Sequence, residues 1–255
     1  MDTLHEILSA VSDGALDPQQ AAVMIAELRR DETTTEVAPS AASRLFIKAG
    51  GARLNVIGDR NVAEAVADGA HRMERQGDTL VITTNVSEGD FSTDPPRSAL
   101  LNWLTSVVDR AGQTLTVRVN PDLPLRVLMV GGTVDLRGVI AGASVGIEAG
   151  SAKLEDCSGP LQLDVVSGSA KVDWTFSGES SVRADMGSAA VLVRPGSDAT
   201  ITAEAVLGQA VIKTEQGMFK AVGENTATPQ VVCGAGTGAL HATARMGSVQ
   251  VTVSS

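Results

Sequence analysis

The stretch GSAKLEDCSGPLQLDVVSGSAKVD, residues 150–173, contains the same short motif twice. Its tetrapeptide Gly-Ser-Ala-Lys at residues 150–153 returns at residues 168–171, which is 18 positions later. In both copies an apolar and then an acidic residue follow, so that apolar and polar side chains alternate. Alternation with a period of two is typical of a half-buried strand, and self-similarity at a fixed interval indicates a repeat architecture.

The repeat extends well beyond these two copies. Aligned on one glycine, the copies begin at Gly132, Gly150, Gly168, Gly187, Gly208 and Gly247, at intervals of 18, 18, 19, 21 and 39 residues. We predict that these glycines turn corners of the chain. The second and fourth positions after each glycine are apolar throughout, and we predict that they face a core: Val134, Ala152, Ala170, Ala189, Ala210 and Val249, then Leu136, Leu154, Val172, Val191, Ile212 and Val251.

A second alternating segment precedes most of these glycines. Its inward positions are predicted to be Leu125/Val127/Met129, Val145/Ile147/Ala149, Val182/Ala184/Met186 and Ala242/Ala244/Met246. A coil of about 18 residues makes three short faces, and coils would stack roughly 4.8 Å apart, each on the preceding one. This register places Asp135 beside Lys153 and Arg137 beside Glu155. The sequence therefore predicts a mainly β fold, a parallel β-solenoid with coils of about 18–21 residues.

The residues before the repeat predict short strands and one helical insertion. Strands are expected at 45–47, 54–57 and 79–82, separated by Gly and Asp turns. Between residues 95 and 110, apolar side chains recur at helical spacing around Trp103, including Leu100 and Leu104. Because the ends of a solenoid must be covered, this helix is a candidate cap, and partner binding is the alternative.

The first 31 residues show a helical period and predict a helical hairpin. Its first apolar stripe consists of Leu4, Ile7, Leu8 and Val11, and its second contains Ile25 and Leu28. Such a short hairpin is too small to be stable alone, so it is expected to pack on a copy of itself, on a partner or on the rest of the chain. Residues 32–43 are polar and predict a flexible linker, followed by a β domain over 44–255.

The composition disfavours several classes of function. The chain of 255 residues carries 20 basic and 30 acidic residues, a net charge of -10, and only 2% aromatic residues. This charge opposes nucleic acid and anionic membrane surfaces as partners, and the scarcity of aromatic side chains disfavours a cofactor pocket. We find no signal peptide and no apolar run long enough for an integral membrane segment, so a cytoplasmic location is expected, with peripheral association with the envelope left open.

No residue constellation predicts catalysis, a cofactor or a metal. Cys157 and Cys233 lack the spacing of a metal site and are expected to be small buried side chains. The three histidines, His5, His71 and His241, lie far apart in the sequence. The glycines of CGAGTGA, residues 233–239, are expected to form a turn, because no strand–loop–helix unit surrounds them. The acidic residues of turns, such as Glu155 and Asp156, are expected to be solvated.

Several segments together resemble a bacterial adhesin-like β-helix family of unknown function. These segments are RLFIKAGGARLNVIG (44–58), GDTLVITT (77–84) and LTVRVNPDLPLRVLMVGGTVDLRG (115–138), together with the glycine repeat. The hairpin LHEILSAVSDGALDPQQAAVMIAELRRD (4–31) resembles the SHOCT-like short helical domain that often precedes such β-helices. The resemblance implies a right-handed β-helix in proteins linked to bacterial envelope stress and surface interaction, with no catalytic residues to assign.

We therefore expect a non-enzymatic scaffold, in which a β-helix rod carries a helical hairpin for oligomerisation or docking. The candidate partner-binding residues are Leu4, Ile7, Leu8, Val11, Ile25, Leu28, Leu100, Trp103 and Leu104. The alternative is a polymerising, bactofilin-like filament protein whose C-terminal strand, Val249 to Val253, pairs end to end with another molecule. A hexapeptide-type acyltransferase or a sugar-acting β-helix enzyme ranks lower, because alternation within strands dominates over a six-residue period.

Overall fold

The computed structural model describes residues 42–84, 114–222 and 228–254, and every regular element in these ranges is a strand. The mainly β class predicted from the sequence is thus confirmed. The strands are β1 Arg44–Gly58, β2 Ala65–Asp68, β3 Arg72–Gln76, β4 Thr79–Thr84, β5 Thr114–Val119, β6 Leu125–Arg137, β7 Ala143–Gly159, β8 Leu161–Phe176, β9 Glu179–Ala184, β10 Ser188–Val193, β11 Ala199–Ala205, β12 Gln209–Thr214, β13 Gly217–Val222, β14 Gln230–Cys233, β15 Gly238–Ala244 and β16 Ser248–Val253.

The strands form two ladders that share the long strands β1, β6, β7 and β8. The first ladder uses the N-terminal parts of these strands and runs β3-β4-β1-β6-β7-β8-β9-β15-β11-β14. The second uses their C-terminal parts and runs β2-β5-β1-β6-β7-β8-β10-β16-β12-β13. Apart from the strand at each end, all neighbours in both ladders are parallel.

Each long strand bends from one ladder into the other without interrupting the chain of paired residues. The predicted strands at 45–47 and 54–57 are in fact parts of one strand, β1. Gly51 permits this bend because it adopts a φ of 62°, a conformation that most side chains disfavour. The prediction of a turn between two strands was wrong at this point, since a positive φ bends the strand and does not end it.

The core lies along the inward side of both ladders, as the alternation predicts. In the first ladder Ile47, Val127, Val145, Leu163, Val182, Ala242 and Ala203 stand in one register and are all buried. In the second, Val56, Leu136, Leu154, Val172, Val191, Val251 and Ile212 form the equivalent column. The twelve apolar positions after the repeat glycines are therefore confirmed as core positions.

Two of the predicted inward positions are wrong. Met186 and Met246 are 60% and 61% exposed. β9 ends at Ala184 and β15 ends at Ala244, so both methionines lie in the corner beyond the strand, where the alternation no longer applies.

The order of the last three layers also differs from the sequence order. We expected each repeat to lie on the preceding one, yet β16 lies between β10 and β12. In the same way β15 lies between β9 and β11 in the first ladder. The last layer of the chain is thus inserted between two layers that precede it, and the 39-residue interval before Gly247 reflects this excursion.

Antiparallel strands cover both ends of the ladders. At one end β3 pairs with β4 and β2 pairs with β5. At the other end β13 pairs with β12 and β14 pairs with β11. The predicted helix near 95–110, the predicted hairpin over 1–31 and most of the predicted linker over 32–43 lie outside the described residues.

A third side connects the end of the second ladder to the next layer of the first. Here β7 and β8 pair again, over Cys157–Gly159 and Trp174–Phe176. Trp174 and Phe176 are fully buried with their ring centroids 6.4 Å apart. The indole N–H of Trp174 donates to the carbonyl oxygen of Gly159 at 2.8 Å, so its one polar group is satisfied.

Candidate binding site

Phe46 lies on the outward side of β1, in the first ladder. Its neighbours Leu45 and Ile47 are buried, so the alternation of the strand turns the Phe46 ring away from the core. Arg126 of β6 stands directly opposite in the parallel register, although it follows 80 residues later in the sequence. The fold thus joins an aromatic and a cationic side chain that no local sequence pattern connects.

Two cations lie against the Phe46 ring. Lys48 Nζ is 4.9 Å from the ring centroid, and the guanidinium carbon of Arg126 is 5.0 Å from it. Both distances are within the range at which a cation is attracted to the negative face of an aromatic ring. Phe46 therefore holds two positive charges close together at the surface.

Beside this ring lies a cleft of about 410 Å³, which we call the Phe46 cleft. Its apolar walls consist of Leu45, Phe46, Pro124, Leu125, Ala141, Ala143 and Pro160, with Gly142 at the corner. Its polar groups are Arg44, Thr79, Arg126, Ser144 and Gln162. A volume of this size and a mostly apolar lining with a few polar groups are typical of ligand sites.

Backbone hydrogen bonds hold the corner that forms one wall of the cleft. Ala143 donates its N–H to the carbonyl oxygen of Pro160 at 3.0 Å, and Leu45 donates to Pro124 at 3.0 Å. Gly142 has a φ of 89°, and a Cβ there would overlap the backbone of Pro160. The wall is consequently fixed by close contact between successive layers.

The electrostatics of the cleft are positive. None of the described residues that line it is acidic. Arg44 lies 4.0 Å from Asp78, just outside the cleft, and its side chain is largely exposed. Hydrogen bonds donated by Ser43 and Thr79, with the charge of Arg44, lower the pKa of Asp78, so this carboxylate stays ionised. Arg126 forms no ion pair with any residue in the described ranges.

A second cleft, of about 660 Å³, lies at the C-terminal end of the ladders. Asp198 and the glycine-rich segment 233–236 are part of its lining. Gly234 and Gly236 have φ values of 64° and 70°, which agrees with the predicted turn. Asp198 anchors this turn, since Thr237 donates its N–H at 3.1 Å and its hydroxyl at 2.6 Å to the carboxylate. The polar groups here hold the loop.

Cys157 is buried beside a charged cluster on the third side. Burial raises the pKa of its thiol to about 11, and the thiol donates to the Glu155 carbonyl oxygen at 3.1 Å. Asp156, at a φ of 53°, forms an ion pair with Arg194 at 2.6 Å. The expectation of a small buried side chain is confirmed for Cys157, whereas Cys233 is only half-buried.

The two histidines within the described ranges lie in separate places. A hydrogen bond of 2.9 Å joins His241 Nδ1 to the Thr202 hydroxyl. His71 Nδ1 lies 2.8 Å from the carbonyl oxygen of Gly69. Within the residues described, no group of three or more His, Cys, Asp or Glu side chains is arranged to hold a metal. In the same ranges no helix has the length and apolarity needed to cross a bilayer.

All nine residues proposed for partner binding lie outside the described ranges: Leu4, Ile7, Leu8, Val11, Ile25, Leu28, Leu100, Trp103 and Leu104. The six repeat glycines, in contrast, lie in one column in the order Gly132, Gly150, Gly168, Gly187, Gly247 and Gly208. A Cβ on any of them would overlap the backbone of the adjacent layer, at Ala52 or at the preceding glycine of the column. Close approach of the layers therefore requires glycine here, beyond the turning of a corner.

Sequence reasoning missed Phe46 and Arg126 as site residues. One signal was available, because in RLFIK an aromatic side chain occupies an outward position between Arg44 and Lys48. The register that places Arg126 opposite Phe46 could not be inferred, since β1 precedes the regular repeat.

These features define a mainly β protein of stacked parallel strands with a basic, partly aromatic cleft on its outer side. No family model matches the chain, and no curated protein matches it. Among solved structures, a "putative cell adhesion protein" from Clostridium sporogenes is similar over 86% of this chain and 96% of that chain, at 12% sequence identity and a TM-score of 0.41.

Proposed function

We propose that the chain is a non-enzymatic interaction scaffold, a right-handed β-solenoid that presents rigid outer faces and one binding cleft. The observation that carries this proposal is the continuous parallel register, which keeps equivalent side chains in columns through seven layers of both ladders. Stacked layers with a continuous core bend little, and surface groups then keep fixed spacings that a partner can recognise.

The outer columns of the second ladder support the same proposal. Arg137 lies 3.5 Å from Glu155 of the next layer, in agreement with the predicted pairing, and Lys153 lies 2.7 Å from Glu155. Exposed ion pairs add little stability. Their regular spacing instead makes this face a patterned, polar surface, while the Phe46 cleft concentrates apolar and positive groups at one place.

The filament alternative loses its predicted interface. Both edges of β16, Ser248–Val253, are occupied within the same chain, one by β10 and the other by β12. End-to-end pairing through Val249–Val253 was therefore a wrong prediction. We also propose that the N-terminal hairpin supplies self-association or partner docking, that the chain functions in the cytoplasm, and that any contact with the bacterial envelope is peripheral.

Light scattering of the full chain and of residues 42–255 tests the proposed role of the hairpin. The truncation keeps Ala42 and Ser43, because Ala42 donates its N–H to Glu64 at 2.6 Å and Ser43 donates its hydroxyl to Asp78 at 2.5 Å. Self-association that disappears on truncation supports the hairpin as the oligomerisation element. Monomers in both cases leave docking of a different protein, and a polymer of residues 42–255 alone contradicts the scaffold and favours a filament.

Proximity labelling in the native cell tests the interaction function itself. The full chain is compared with an Arg44→Gln/Arg126→Gln variant and with an Arg53→Gln variant, whose substitution lies on β1 outside the cleft. Protein neighbours that depend on Arg44 and Arg126 but not on Arg53 support a scaffold that acts through the Phe46 cleft. Neighbours that are the same in all three proteins and in the truncated chain would remove the basis of the proposal.

A further inference from the structure

We infer that the Phe46 cleft binds an acidic peptide segment that carries apolar side chains, presented by a protein partner. This inference rests on the proposed function, and it names the chemistry that the cleft recognises. Three properties of the cleft lead to it: its charge, its apolar walls and the small number of its neutral polar groups.

The charge of the cleft selects an anion. Arg44 and Arg126 line it, Lys48 lies against the same ring as Arg126, and no described lining residue is acidic. The chain as a whole carries a net charge of -10, so this local excess of positive charge runs against the average of the molecule. A guanidinium presents parallel N–H donors that match the two oxygens of a carboxylate.

The Phe46 ring prepares the cations for this role. An arginine at the surface normally samples many conformations, and ordering it on binding costs free energy. Contact with the ring limits this freedom for Arg126 and Lys48 before any ligand arrives. Replacing Phe46 by leucine would keep an apolar group there and remove the attraction that places the two charges.

The walls of the cleft favour a peptide over an acidic sugar. Leu45, Pro124, Leu125 and Pro160 line it, whereas Thr79, Ser144 and Gln162 are its neutral polar side chains. A sugar would bring many hydroxyl groups against apolar walls and leave several of them without partners, which is costly. An apolar side chain next to a carboxylate satisfies both parts of the lining.

The shape and overall charge disfavour an anionic membrane as the occupant. A flat surface cannot place its headgroups in a concave cleft without bringing the surrounding protein surface close as well. With the net charge of the chain at -10, that approach is repulsive. A narrow peptide reaches the cleft without this penalty.

Fluorescence anisotropy with the full-length protein tests the inference. The probe is a fluorescein-labelled hexapeptide, Asp-Leu-Asp-Leu-Asp-Gly, and its matched control has Asn in place of each Asp. We expect the Asp peptide to bind, the Asn peptide to bind at least about tenfold more weakly, and the affinity of the Asp peptide to fall as salt rises from about 50 to about 300 mM. Trigalacturonate and phosphatidylserine vesicles serve as competitors.

Variants assign the binding to the cleft. Arg126→Gln and Arg44→Gln should each weaken binding about tenfold, and Phe46→Leu should weaken it several-fold. Arg53→Gln is the matched control, since Arg53 is exposed on the same strand outside the cleft, and it should change binding less than about twofold. Because Arg44, Arg53 and Arg126 are exposed, these substitutions should leave the thermal unfolding temperature nearly unchanged.

Two kinds of result would overturn the inference. One is absence of peptide binding, or equal loss of binding in Arg53→Gln and Arg126→Gln. The other is displacement of the peptide by trigalacturonate or vesicles that bind more tightly than the peptide does. If cell neighbours still depend on Arg126 in either case, the ligand class is wrong and the scaffold function stands. If they do not, the proposed function fails independently.

Discussion

Ser248 donates its backbone N–H to the carbonyl oxygen of Gly187 at 3.0 Å, which places the last repeat glycine directly on a glycine 60 residues earlier. Gly208 lies between them in sequence but outside them in space, since Gln209 donates its N–H to Gly247 at 3.1 Å. The chain therefore builds an outer layer first and fills the space beneath it with its final residues. Strands β13 and β14 belong to this excursion and cover the outer layer from the far side.

Engineered disulfides test this order of layers. Leu192 of β10 stands opposite Thr252 of β16, which stands opposite Lys213 of β12. Adjacent strands lie roughly 4.8 Å apart, within the range of a disulfide, and alternate strands lie about twice as far apart, beyond it. In a Cys233→Ser background, Leu192→Cys with Thr252→Cys should form a cross-link, detected by mass spectrometry of non-reduced peptides.

The matched control uses the same first position. Leu192→Cys with Lys213→Cys should remain reduced under the same conditions, because β16 separates the two side chains. If this pair cross-links and the Leu192/Thr252 pair does not, the layers follow the order of the sequence and the insertion of β16 is wrong.

The contrast between these two regions explains how far the sequence predicts the fold. Between Gly132 and Gly187 each repeat pairs with the next, so alternation and interval together predict both the core positions and the register. After Gly187 the same alternation still predicts which residues are buried, because burial depends on the local strand alone. It cannot predict the neighbour, since parallel pairing with either adjacent layer would bury the same apolar column. The Phe46 cleft escaped prediction for the same reason, as it depends on the register of β1 against β6.

Substitution at the glycine column should be costly for a reason that can be separated from backbone strain. Gly247 has no positive φ, yet a Cβ there would come within 2.1 Å of the Gly187 carbonyl oxygen. We expect Gly247→Ala to lower the free energy of unfolding by on the order of 3 kcal/mol, at the upper end for overpacking. Urea denaturation followed by tryptophan fluorescence measures this, since Trp174 lies in the core.

Gly77 provides the complementary control. It adopts a φ of 61°, but a Cβ there meets nothing within 4 Å. Gly77→Ala should therefore cost only about 1 kcal/mol, the strain of a left-handed backbone alone. Equal effects of the two substitutions would show that the column tolerates a side chain and that contact between the layers does not require glycine.

Asp198 should stabilise the 233–237 turn only while its carboxyl is ionised. The hydroxyl and N–H of Thr237 donate to it and hold its pKa below the usual value of 3.8. Because the folded-state pKa is lowered, this stabilisation is present above the ordinary value and is lost as the pH falls through the folded-state pKa. We expect Asp198→Asn to speed hydrogen exchange at the Thr237 amide at neutral pH, measured by NMR. Asp164→Asn, an exposed carboxylate on β8, should leave that amide unchanged.

The buried thiol of Cys157 should make the protein less stable at high pH. Burial raises its pKa from 9.0 to about 11. Between these values the unfolded chain loses the thiol proton while the folded chain retains it, so rising pH favours the unfolded state. The contribution should amount to about 1.4 kcal/mol for each pH unit in this window.

Denaturation of the wild type and of Cys157→Ala between pH 8 and about pH 11 isolates this contribution, since lysine and arginine groups titrate alike in both proteins. Cys157→Ala loses some packing at every pH, because the side chain is only 2% exposed. The difference in unfolding free energy between the two proteins should nevertheless shrink as the pH rises. A difference that stays constant would mean that the Cys157 thiol ionises as readily in the folded chain as in the unfolded one.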